Sequence, residues 1–448
     1  MLEEGVSSKE MKIAILGAGI TGLTIARLLN ESGYEIEVYE KEDKIGGLCR
    51  SEIVQGFVYD IGGGHVIYSK DKDVLKFMLD ILGEENTVKN IRNTKIFYKG
   101  NYVKYPFENG LGDLQKEDNF ECLVGYIKAE FVRQMGARPP ENFKEWIYYH
   151  FGKGIAEKFM LPYNEKIWKA NLSEMSVDWV QGRVPHAPLE DVVRSSLNIS
   201  TEGYTHQSLF FYPKEGGIQT FVELLVEPIR AEVLLNAPVK SVVKDGKRWL
   251  VNEKAYDKVI SSIPIHNLIP LLRDVPQPVI DALYSLRFNS MVSFLIGIDE
   301  ENISPYSWIY LPDEDNGPCH KITYLSNYSP NNAPRGKSSI LAEVTLKSED
   351  KIKIDEEFLV ESLHRNKMLQ KSKVEFVEHR KIDYAYIIYD LNYQKNTSIV
   401  YNYLDGYGID TIGRFARFKY INMDQAIKEA IEYSKKYETD YCNKHIGL

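Results

Sequence analysis

The strongest constraint on the fold of this chain is a glycine hexapeptide near its start. Gly17, Gly19 and Gly22 fit the pattern G-x-G-x-x-G, and a short apolar run over residues 13–16 precedes them. Such a run is typical of a buried parallel strand. In this pattern the first glycine makes a tight turn, the second lets a pyrophosphate approach the backbone, and the third lets a helix pack closely on the strand. The hexapeptide therefore predicts a dinucleotide-binding βαβ unit.

The residues after the hexapeptide complete this unit. The pattern predicts a helix that runs to about Asn30 and ends at Gly33, followed by a second strand over residues 36–39. The N-terminus of such a helix faces the phosphates with free N–H groups. Glu40 ends the second strand about 20 residues after the glycines, where an acidic side chain is expected to bind the ribose hydroxyls.

Further glycine segments favour FAD over NAD as the predicted cofactor. A glycine pair at residues 46–47 is followed by Arg50, which resembles the extended FAD fingerprint of the glutathione reductase-type flavoproteins. A glycine run over residues 62–64 lets the backbone approach a flat ligand. A turn at Gly413 and Arg414 precedes a helix and resembles the last FAD segment of the same group, in which the helix N-terminus points at the flavin pyrimidine. Together these separated segments predict FAD.

Composition limits the partners and the location of the protein. The 448 residues carry a formal net charge of -9, which argues against a nucleic-acid partner because phosphate backbones bind clustered Lys and Arg. No apolar run approaches the roughly 20 residues that span a bilayer. The polar, acidic start over residues 1–12 is unlike a secretory signal. The four cysteines have no metal-binding or redox spacing, which fits reduced thiols in a cytoplasmic protein without a metal site.

Hydrophobic periodicity predicts the organisation of the whole chain. The expected fold class is α/β, with a Rossmann-like FAD-binding domain of the glutathione reductase type, a helical substrate or nucleotide domain and an antiparallel-sheet substrate domain. The FAD-binding domain is expected to be discontinuous, over residues 1–70, 205–285 and 400–448. The helical domain is expected over residues 71–204, broken by a hairpin-like stretch at residues 95–103, and the sheet domain is expected over 286–399. Within the helical domain, the residues expected on the buried face of one amphipathic helix are Phe120, Leu123, Val124, Ile127 and Phe131.

Several longer segments carry a closer resemblance to a known family. The sequence GGHVIYS stands at residues 63–69, and VKYPFEN stands at residues 103–109. In these and other segments, over roughly residues 12–430, the chain resembles the UDP-galactopyranose mutases, especially the eukaryotic type. The other matching segments are Gly154-Ile155-Ala156, Pro162-Tyr163-Asn164, Trp168, Arg183-Val184, Tyr212-Pro213, Ser326-Asn327-Tyr328-Ser329-Pro330 and Gly413-Arg414-Phe415.

The resemblance implies a flavin reaction without net redox. The family interconverts the pyranose and furanose forms of a sugar on a nucleotide diphosphate, and its flavin must be reduced. The N5 atom of the reduced flavin attacks the anomeric carbon and displaces the nucleotide, so the cofactor is the nucleophile. For this chain the resemblance implies conversion of UDP-galactopyranose to UDP-galactofuranose, with an external reductant or NAD(P)H to reduce the flavin.

The resemblance also implies roles for single residues. The implied catalytic residues are His65, Arg183, Lys321 and Arg414. The implied FAD-binding residues are Gly17, Gly19, Gly22, Glu40, Gly47, Arg50, Gly63, Gly64, Val239, Gly413, Arg414, Asn422, Met423 and Gln425. The implied substrate-binding residues are Tyr105, Phe107, Glu108, Asn164, Trp168, Arg183, Tyr310, Lys321, Tyr386 and Tyr420.

Two positions depart from the family pattern, and both bear on the substrate. Lys321 stands where the family has a second phosphate-binding arginine, so the charge is kept but the bidentate fork is lost. Glu108 stands where eukaryotic members have glutamine, and a carboxylate only accepts hydrogen bonds. A carboxylate suits the two adjacent donors of a guanine edge better than a uracil edge. A GDP- or dTDP-linked sugar or deoxysugar is therefore an open alternative.

Two other functions fit the glycine segments. An FAD-dependent oxidoreductase of the amine oxidase superfamily, akin to protoporphyrinogen oxidase, shares these segments but does not need Arg183, Lys321 and two tyrosines around a diphosphate. A flavin-bound binding protein without activity shares them as well. Oxygen consumption with an amine or a porphyrinogen distinguishes the first alternative, and nucleotide binding without isomerisation distinguishes the second.

Overall fold

Most of the chain is described by the computed structural model. The polar leader over residues 1–10 and the predicted domain boundary at 204–205 lie outside the described part. Among the described helices, none combines the length and the apolar surface that crossing a bilayer requires. The described residues are 11–180, 183–184, 186–199, 208–350 and 354–445, with side chains up to residue 437 in the C-terminal helix.

Helices occur along the whole described chain, and some of them begin at a capping side chain. The carboxylate of Asp71 accepts hydrogen bonds from the N–H groups of Asp73 and Val74, and Asp355 caps a later helix in the same way. These bonds satisfy donors that the first helical turn leaves free. The helices are α1 Ile20–Glu31, α2 Lys72–Leu82, α3 Lys116–Gln134, α4 Phe143–Ile155, α5 Leu161–Trp168, α6 Leu189–Ser196, α7 Gln219–Val226, α8 Ile265–Leu268, α9 Gln277–Ser285, α10 Glu356–Arg365, α11 Tyr393–Tyr407 and α12 Met423–His445.

The described strands form a parallel sheet, a large mixed sheet and smaller antiparallel sheets. The strands are β1 Lys12–Leu16, β2 Glu35–Tyr39, β3 Ser51–Val54, β4 Phe57–Asp60, β5 Thr87–Ile91, β6 Thr94–Tyr98, β7 Asn101–Lys104, β8 Leu209–Pro213, β9 Val233–Leu234, β10 Val242–Asp245, β11 Arg248–Val251, β12 Lys254–Tyr256, β13 Lys258–Ser261, β14 Phe288–Ile298, β15 Trp308–Tyr310, β16 Lys321–Thr323, β17 Ser338–Lys347, β18 Val374–Ile387 and β19 Asp410–Thr411.

The parallel sheet has the strand order β19-β13-β1-β2-β9 and confirms the predicted Rossmann-like unit. In β1, Ile13 and Ile15 belong to one buried cluster, whereas Ala14 and Leu16 belong to another. Both faces of the strand are therefore covered, which explains the unbroken apolar run in the sequence. The sheet takes its strands from the beginning, the middle and the end of the chain.

The large sheet has the strand order β18-β14-β17-β16-β15-β6-β7 and supplies the predicted antiparallel part of the fold. Its neighbouring strands are antiparallel except for β15 and β6, which are parallel. The inner strand β14 is buried along nearly its whole length. Phe294 and Ile296 pack in a cluster with α10, and Leu295 packs against the β3–β4 hairpin. The predicted fold class is confirmed by this combination of sheets and helices.

Part of the range predicted to be helical is in fact β-structure. β6 and β7 extend the large sheet, and β5 pairs with β8. The pairing of β6 joins Thr94 to Trp308, a neighbour far away in the sequence that no local pattern reveals. The hairpin-like stretch expected at residues 95–103 is confirmed as β6 and β7, whereas β5 over Thr87–Ile91 is a correction to the helical range. The division of the chain into domains stays a prediction.

The buried face predicted for α3 is wrong. Phe120 and Phe131 are exposed, and the helix instead buries Asp118, Cys122 and Tyr126 against α4 and its neighbours. Glycines decide this orientation. A Cβ atom on Gly154 of α4 would lie 2.6 Å from the Cα of Cys122, so the backbones of the two helices touch on this side. Close packing of that kind outweighs the apolar stripe on the opposite side of α3.

We expect Tyr126→Ala to lower the free energy of unfolding by about 3–5 kcal/mol, because the fully buried ring leaves a cavity between α3 and α4. Denaturant titration of the purified protein measures this change. Tyr284 is 70% exposed, and Tyr284→Ala is the matched control, expected to change stability by no more than about 0.5 kcal/mol. Equal effects of the two substitutions would contradict the orientation of α3.

Candidate active site

The glycine hexapeptide forms the turn between β1 and α1. Gly17 has a φ of +96°, which favours glycine, and a Cβ atom on Gly22 would lie 2.1 Å from the carbonyl oxygen of Gly17. Gly19 is different, because a Cβ atom there would meet nothing within 4 Å. The first and third glycines are thus required by the protein itself, whereas the second leaves open space at the N-terminus of α1. This division matches the three roles expected around a pyrophosphate.

Glu40 lies beside this turn at the end of β2. Its two carboxylate oxygens accept hydrogen bonds from the backbone N–H of Ala18, at 2.9 Å, and of Glu42, at 3.0 Å. The carboxylate is therefore fixed next to the glycines. The predicted contact with a ribose fits this position and remains a prediction.

The other glycine segments meet at the same helix terminus. The N–H of Gly46 donates to the carbonyl of Ala18 at 2.8 Å, and a Cβ atom on Gly47 would lie 3.3 Å from the Cα of Gly19. From the end of the chain, Gly413 would place a Cβ atom 2.7 Å from the Thr21 hydroxyl. Segments that are distant in the sequence are thus packed closely around the start of α1.

Two buried arginine nitrogens in this region have no partner among the described residues. They are the Nε atoms of Arg50 and Arg414. A buried donor without a partner costs free energy, so these atoms are suited to a ligand with acceptor oxygens. Together with the open space at Gly19, they make the described residues a good fit for FAD.

His65 follows the third glycine segment and lies among cations. Burial, together with the charges of the nearby Arg414 and Lys321, lowers its pKa to about 4. The imidazole is therefore neutral at physiological pH. The preceding backbone is closely packed, since a Cβ atom on Gly63 would lie 3.4 Å from the Glu343 carboxylate.

Arg183 and Arg414 both stack on the ring of Tyr420. Their guanidinium carbons lie 4.6 and 4.4 Å from the ring centroid. Arg414 is also fixed by hydrogen bonds to the carbonyls of Ala385 and Ile421. Cation–π contacts hold each arginine in place, but the two like charges repel each other. The arrangement therefore favours an anion that binds both guanidinium groups.

Lys321 is also part of the cationic region, but it has a partner. Its Nζ atom lies 2.8 Å from Oε1 of the buried Glu343. Burial lowers the pKa of Lys321, but the Glu343 carboxylate outweighs burial and raises it, so the lysine stays charged. The neighbouring His320 lies 3.4 Å from the Tyr386 hydroxyl and 3.9 Å from Glu343. Glu343 thus offsets part of the positive charge at this side of the site.

Aromatic side chains enclose the region. The rings of Tyr105 and Tyr310 are 5.2 Å apart, and the ring of Tyr163 packs edge-on to Tyr310 at 5.3 Å. Burial raises the pKa of Tyr163 well above its usual value, as does the proximity of Tyr310, Tyr386, Tyr420 and Tyr105. The hydroxyl group of Tyr163 is therefore neutral and lies close to the other tyrosines.

Trp168 packs on the tyrosines of the site, including Tyr420, on which the two arginines stack. Its indole N–H donates to the side-chain oxygen of Asn164 at 3.0 Å. Its ring packs edge-on to Tyr386 and Tyr420, at 6.0 and 5.9 Å. The structure therefore brings together most of the residues predicted to bind substrate.

Phe107 and Glu108 lie deeper than the other predicted substrate residues. Phe107 is fully buried and stacks on Phe159 at 5.1 Å, so it supports the pocket from behind. Glu108 is 2% exposed, and its Oε1 atom has no hydrogen-bond partner among the described residues. Burial raises the pKa of Glu108 to about 7, although hydrogen bonds from the backbone of Glu108 and Ala187 lower it.

The remaining predicted FAD contacts are less direct. The side-chain oxygen of Gln425 accepts hydrogen bonds from the N–H of Asn422, at 3.1 Å, and from Arg183, at 3.3 Å. Met423 is buried at the start of α12, and Val239 is partly buried against a hydrophobic cluster. Gln425 thus joins the start of α12 to Arg183, and the FAD contacts of Met423 and Val239 stay predictions.

Some residues of the site were not predicted as contacts from the sequence. They are Arg92, Tyr163, His320 and Glu343. Arg92 lies 5.4 Å from the centroid of the Tyr105 ring, and burial lowers the pKa of His320 well below its usual value. Tyr163 directly precedes Asn164 in the sequence, and His320 directly precedes Lys321. This proximity to predicted site residues is the signal by which both could have been found. Glu343 lies in a long apolar strand, and a buried glutamate there was a signal in itself.

A family model described as flavin containing amine oxidoreductase matches residues 20–366. The chain belongs to the flavin-containing amine oxidoreductase family. This membership confirms the predicted flavin, and the fit of the glycine segments agrees with FAD.

Other comparisons concern single members of this flavin-containing fold. A dTDP-fucopyranose mutase of Escherichia coli is 22% identical over 444 residues, which cover 95% of this chain and 98% of that protein. A crystal structure of reduced UDP-galactopyranose mutase matches with a TM-score of 0.85 and 27% identity, covering 97% of this chain and 96% of the other. The resemblance seen in the sequence is therefore confirmed. A putrescine oxidase with bound putrescine shares the fold, with a TM-score of 0.67 and 16% identity over 96% of this chain and 99% of the other.

We expect Gly19→Ala to reduce flavin binding by at least about tenfold without unfolding the protein, because the new methyl group enters the open space and touches no protein atom. The backbone at Gly19, with φ -76° and ψ 173°, accepts alanine. The flavin-to-protein ratio, read from the visible and ultraviolet absorbance, measures the effect.

Gly22→Ala is the comparison for Gly19→Ala, because it adds the same methyl group at a position where the protein leaves no space. Its methyl group would collide with the Gly17 carbonyl, so the apoprotein itself should lose about 3 kcal/mol or more of stability. Unchanged flavin content in Gly19→Ala would contradict the proposed position of the pyrophosphate.

We expect the buried carboxyl of Glu108 to make stability depend on pH. Its folded-state pKa of about 7 is above its usual value, so its contribution is fully present at low pH and is lost as the pH rises through 7. Between pH 4.5 and 7, the native protein should lose roughly 3 kcal/mol relative to Glu108→Gln. Urea unfolding of both proteins across this range measures the difference, and parallel pH curves would contradict it.

Proposed function

We propose that this protein is a flavin-dependent mutase that interconverts the pyranose and furanose forms of a nucleotide-diphosphate sugar. The observation that carries the proposal is the stacking of both Arg183 and Arg414 on the ring of Tyr420, with Arg414 close to His65 of the flavin segment. Two fixed guanidinium groups are suited to a diphosphate, whose oxygens accept paired hydrogen bonds. The full-length similarity to two sugar-nucleotide mutases supports the same function.

When bound and reduced, the flavin supplies a nucleophilic nitrogen that no side chain of the site needs to provide. The side chains bind and orient the substrate. Arg183 and Arg414 compensate the charge of a diphosphate as it separates from the sugar, which lowers the barrier electrostatically. His65 stays neutral beside the sugar, so it can donate or accept a hydrogen bond without adding charge.

The tyrosine cluster limits access of water to the reacting carbon. Tyr163, Tyr386 and Tyr310 are neutral because burial raises the pKa of each one above its usual value. Their hydroxyl groups can bind phosphate or sugar oxygens, and their rings replace water around the site. Because water is excluded, an activated sugar is protected from hydrolysis. An isomerase requires this protection, since hydrolysis would destroy its substrate.

Glu108 favours a pyrimidine nucleotide. With a pKa of about 7 the carboxyl group is partly protonated near neutral pH, and the protonated form offers one donor and one acceptor. A uracil or thymine edge needs this combination, whereas a guanine edge needs two acceptors. We therefore propose a UDP- or dTDP-linked sugar, with UDP-galactopyranose as the first candidate. A GDP-linked sugar is the alternative if Glu108 is ionised in the complex.

An amine oxidase activity is the second candidate, because the matching family model describes amine oxidoreductases and a putrescine oxidase shares the fold. The charges of the site argue against it. An alkyl ammonium substrate would approach Arg183, Arg414 and Lys321, which repel a cation. A diphosphate substrate has the opposite charge and is attracted.

We expect the purified protein to isomerise a nucleotide sugar only after its flavin has been reduced with dithionite. A panel of UDP-, dTDP- and GDP-linked hexoses and deoxyhexoses, analysed by chromatography, tests for a furanose product and identifies the nucleotide.

Arg183→Lys keeps the charge but loses the planar fork, so kcat/KM should fall about 10- to 100-fold. Arg194→Lys, on the exposed surface of α6, is the matched control and should leave kcat/KM unchanged.

Three outcomes would decide against this proposal. Oxygen consumption with an amine or a porphyrinogen, without sugar isomerisation, indicates an oxidase. Tight nucleotide binding without turnover by the reduced protein indicates a binding protein. Equal activity with oxidised and reduced flavin excludes the proposed chemistry.

The reductant and the location are part of the same proposal. We propose that NAD(P)H or an external reductant keeps the flavin reduced in the cytoplasm. Bleaching of the flavin absorbance under anaerobic conditions, after addition of NADH or NADPH, tests the first of these directly.

A further inference from the structure

Lys166 is a buried lysine in the wall of the candidate active site. It lies on α5 between Asn164 and Trp168 and is 3% exposed. Its ammonium group donates hydrogen bonds to the backbone carbonyls of Leu311, at 3.1 Å, and Asp313, at 2.8 Å. Among the residues that the structure describes, no carboxylate forms an ion pair with it. Burial lowers its pKa to about 8, so the group is still charged at neutral pH.

A charge in this position needs an explanation. A buried charge without a countercharge costs free energy, and an apolar side chain of similar length would avoid that cost. The cost indicates a role for Lys166 beyond packing. Both of its acceptors are backbone carbonyls of one loop, which points to that loop as the object of the role.

The loop that accepts these hydrogen bonds follows β15 and belongs to the opposite wall of the site. Tyr310 ends β15, directly precedes Leu311, and pairs with Lys321, the first residue of β16. The N–H of Leu311 also donates to the carbonyl of His320 at 2.9 Å. Lys166 is therefore separated by a single peptide group from the strand pair that carries Tyr310 and Lys321.

α5 and the β15–β16 strand pair differ in what they offer to a ligand. Asn164 and Trp168 on α5 are amide and aromatic groups, which suit a base or a sugar. Lys321 on β16 is an ammonium group, which suits a phosphate. The ring of Tyr163 on α5 lies 6.5 Å from the ring of His320, so the two walls are close together. The buried lysine thus connects two walls with different chemistry.

We infer that Lys166 is a positioning residue that fixes the β15–β16 strand pair relative to α5, so that a nucleoside diphosphate contacts both walls at once. The inference rests on the proposed function, which supplies the ligand. Hydrogen bonds from a charged donor are stronger than those from a neutral one, so the lysine holds the two walls firmly. Walls that are already in place lower the ordering cost of binding. A ligand that touches α5 alone gains little from this arrangement.

An effect of the lysine charge through space is a different explanation, and Lys169 separates the two. Burial is the main reason that the pKa of His320 is well below its usual value, and Lys166 and Lys169 both contribute by their charges. Lys169 reaches the same loop only through the side chain of the exposed Glu314, at 3.6 Å. Such an exposed ion pair contributes little. Removal of either charge should matter if distance effects dominate, whereas positioning depends on Lys166.

The test compares Lys166→Met with Lys169→Met in the full-length, flavin-bound protein. The native protein is first offered UDP, dTDP and GDP, and the diphosphate that binds most tightly is used together with its own nucleoside. Calorimetry measures the dissociation constant of the diphosphate, and ligand-observed NMR measures that of the nucleoside. Lys166→Met should weaken diphosphate binding at least about tenfold and nucleoside binding less than about threefold. Lys169→Met should change neither by more than about threefold.

A second variant keeps the test decisive if Lys166→Met does not fold. Lys166→Gln keeps N–H donors without a charge, so it should weaken diphosphate binding at least about threefold and leave nucleoside binding unchanged. The flavin spectrum and urea unfolding of each variant report whether it has folded.

Several outcomes would overturn the inference. Equal weakening of diphosphate and nucleoside binding is the mark of a general disturbance of the fold. Unchanged diphosphate binding in Lys166→Met and Lys166→Gln excludes a role in the site. Similar effects of Lys166→Met and Lys169→Met indicate charge acting at a distance. Failure of the native protein to bind any of the three diphosphates is different, because it overturns the proposed function and, with it, the ligand on which the inference rests.

Discussion

The fold depends on the close approach of backbones at the N-terminus of α1. Gly22 lies against the Gly17 carbonyl, Gly47 lies against Gly19, and Gly413 lies against Thr21. A side chain at any of these points would separate the segments, so glycine fixes where three parts of the chain meet. Two residues of the site follow glycine segments directly in the sequence. His65 follows the third glycine run, and Arg414 follows Gly413 directly.

The electrostatics of the site follow from this convergence. Arg183 and Arg414 come from opposite halves of the sequence and are held by one tyrosine ring, Tyr420. Lys321 is compensated by Glu343, and His65 is neutral. The uncompensated charge is therefore concentrated on two planar guanidinium groups. This distribution distinguishes the protein from a member of the same fold that binds a cationic amine, although the backbone around the flavin can be the same.

The parts of this structure that could be predicted from sequence are those with a local signal. The glycine turn, its helix and the strand that ends at Glu40 follow from spacing and residue type alone. The grouping of Trp168, Tyr386 and Tyr420 followed from motifs that resemble a family. Glu343 and the pairing of β6 with β15 have no local signal, because their partners are distant in the sequence. The orientation of α3 was wrong for a different reason: apolar periodicity shows a stripe, but contacts between glycines decided which side packs.

The strand order of the parallel sheet has a consequence for how the protein is made. β1 pairs with β13, which lies more than half of the chain away, and β13 pairs in turn with β19, which lies about a third of the chain further on. Contacts over such distances form slowly, because a long loop must close before they contribute. During synthesis, β1 leaves the ribosome before the residues that cover its two apolar faces, and Gly413 reaches α1 only after the segment around residue 413 has been made. The flavin site is therefore expected to form late in folding.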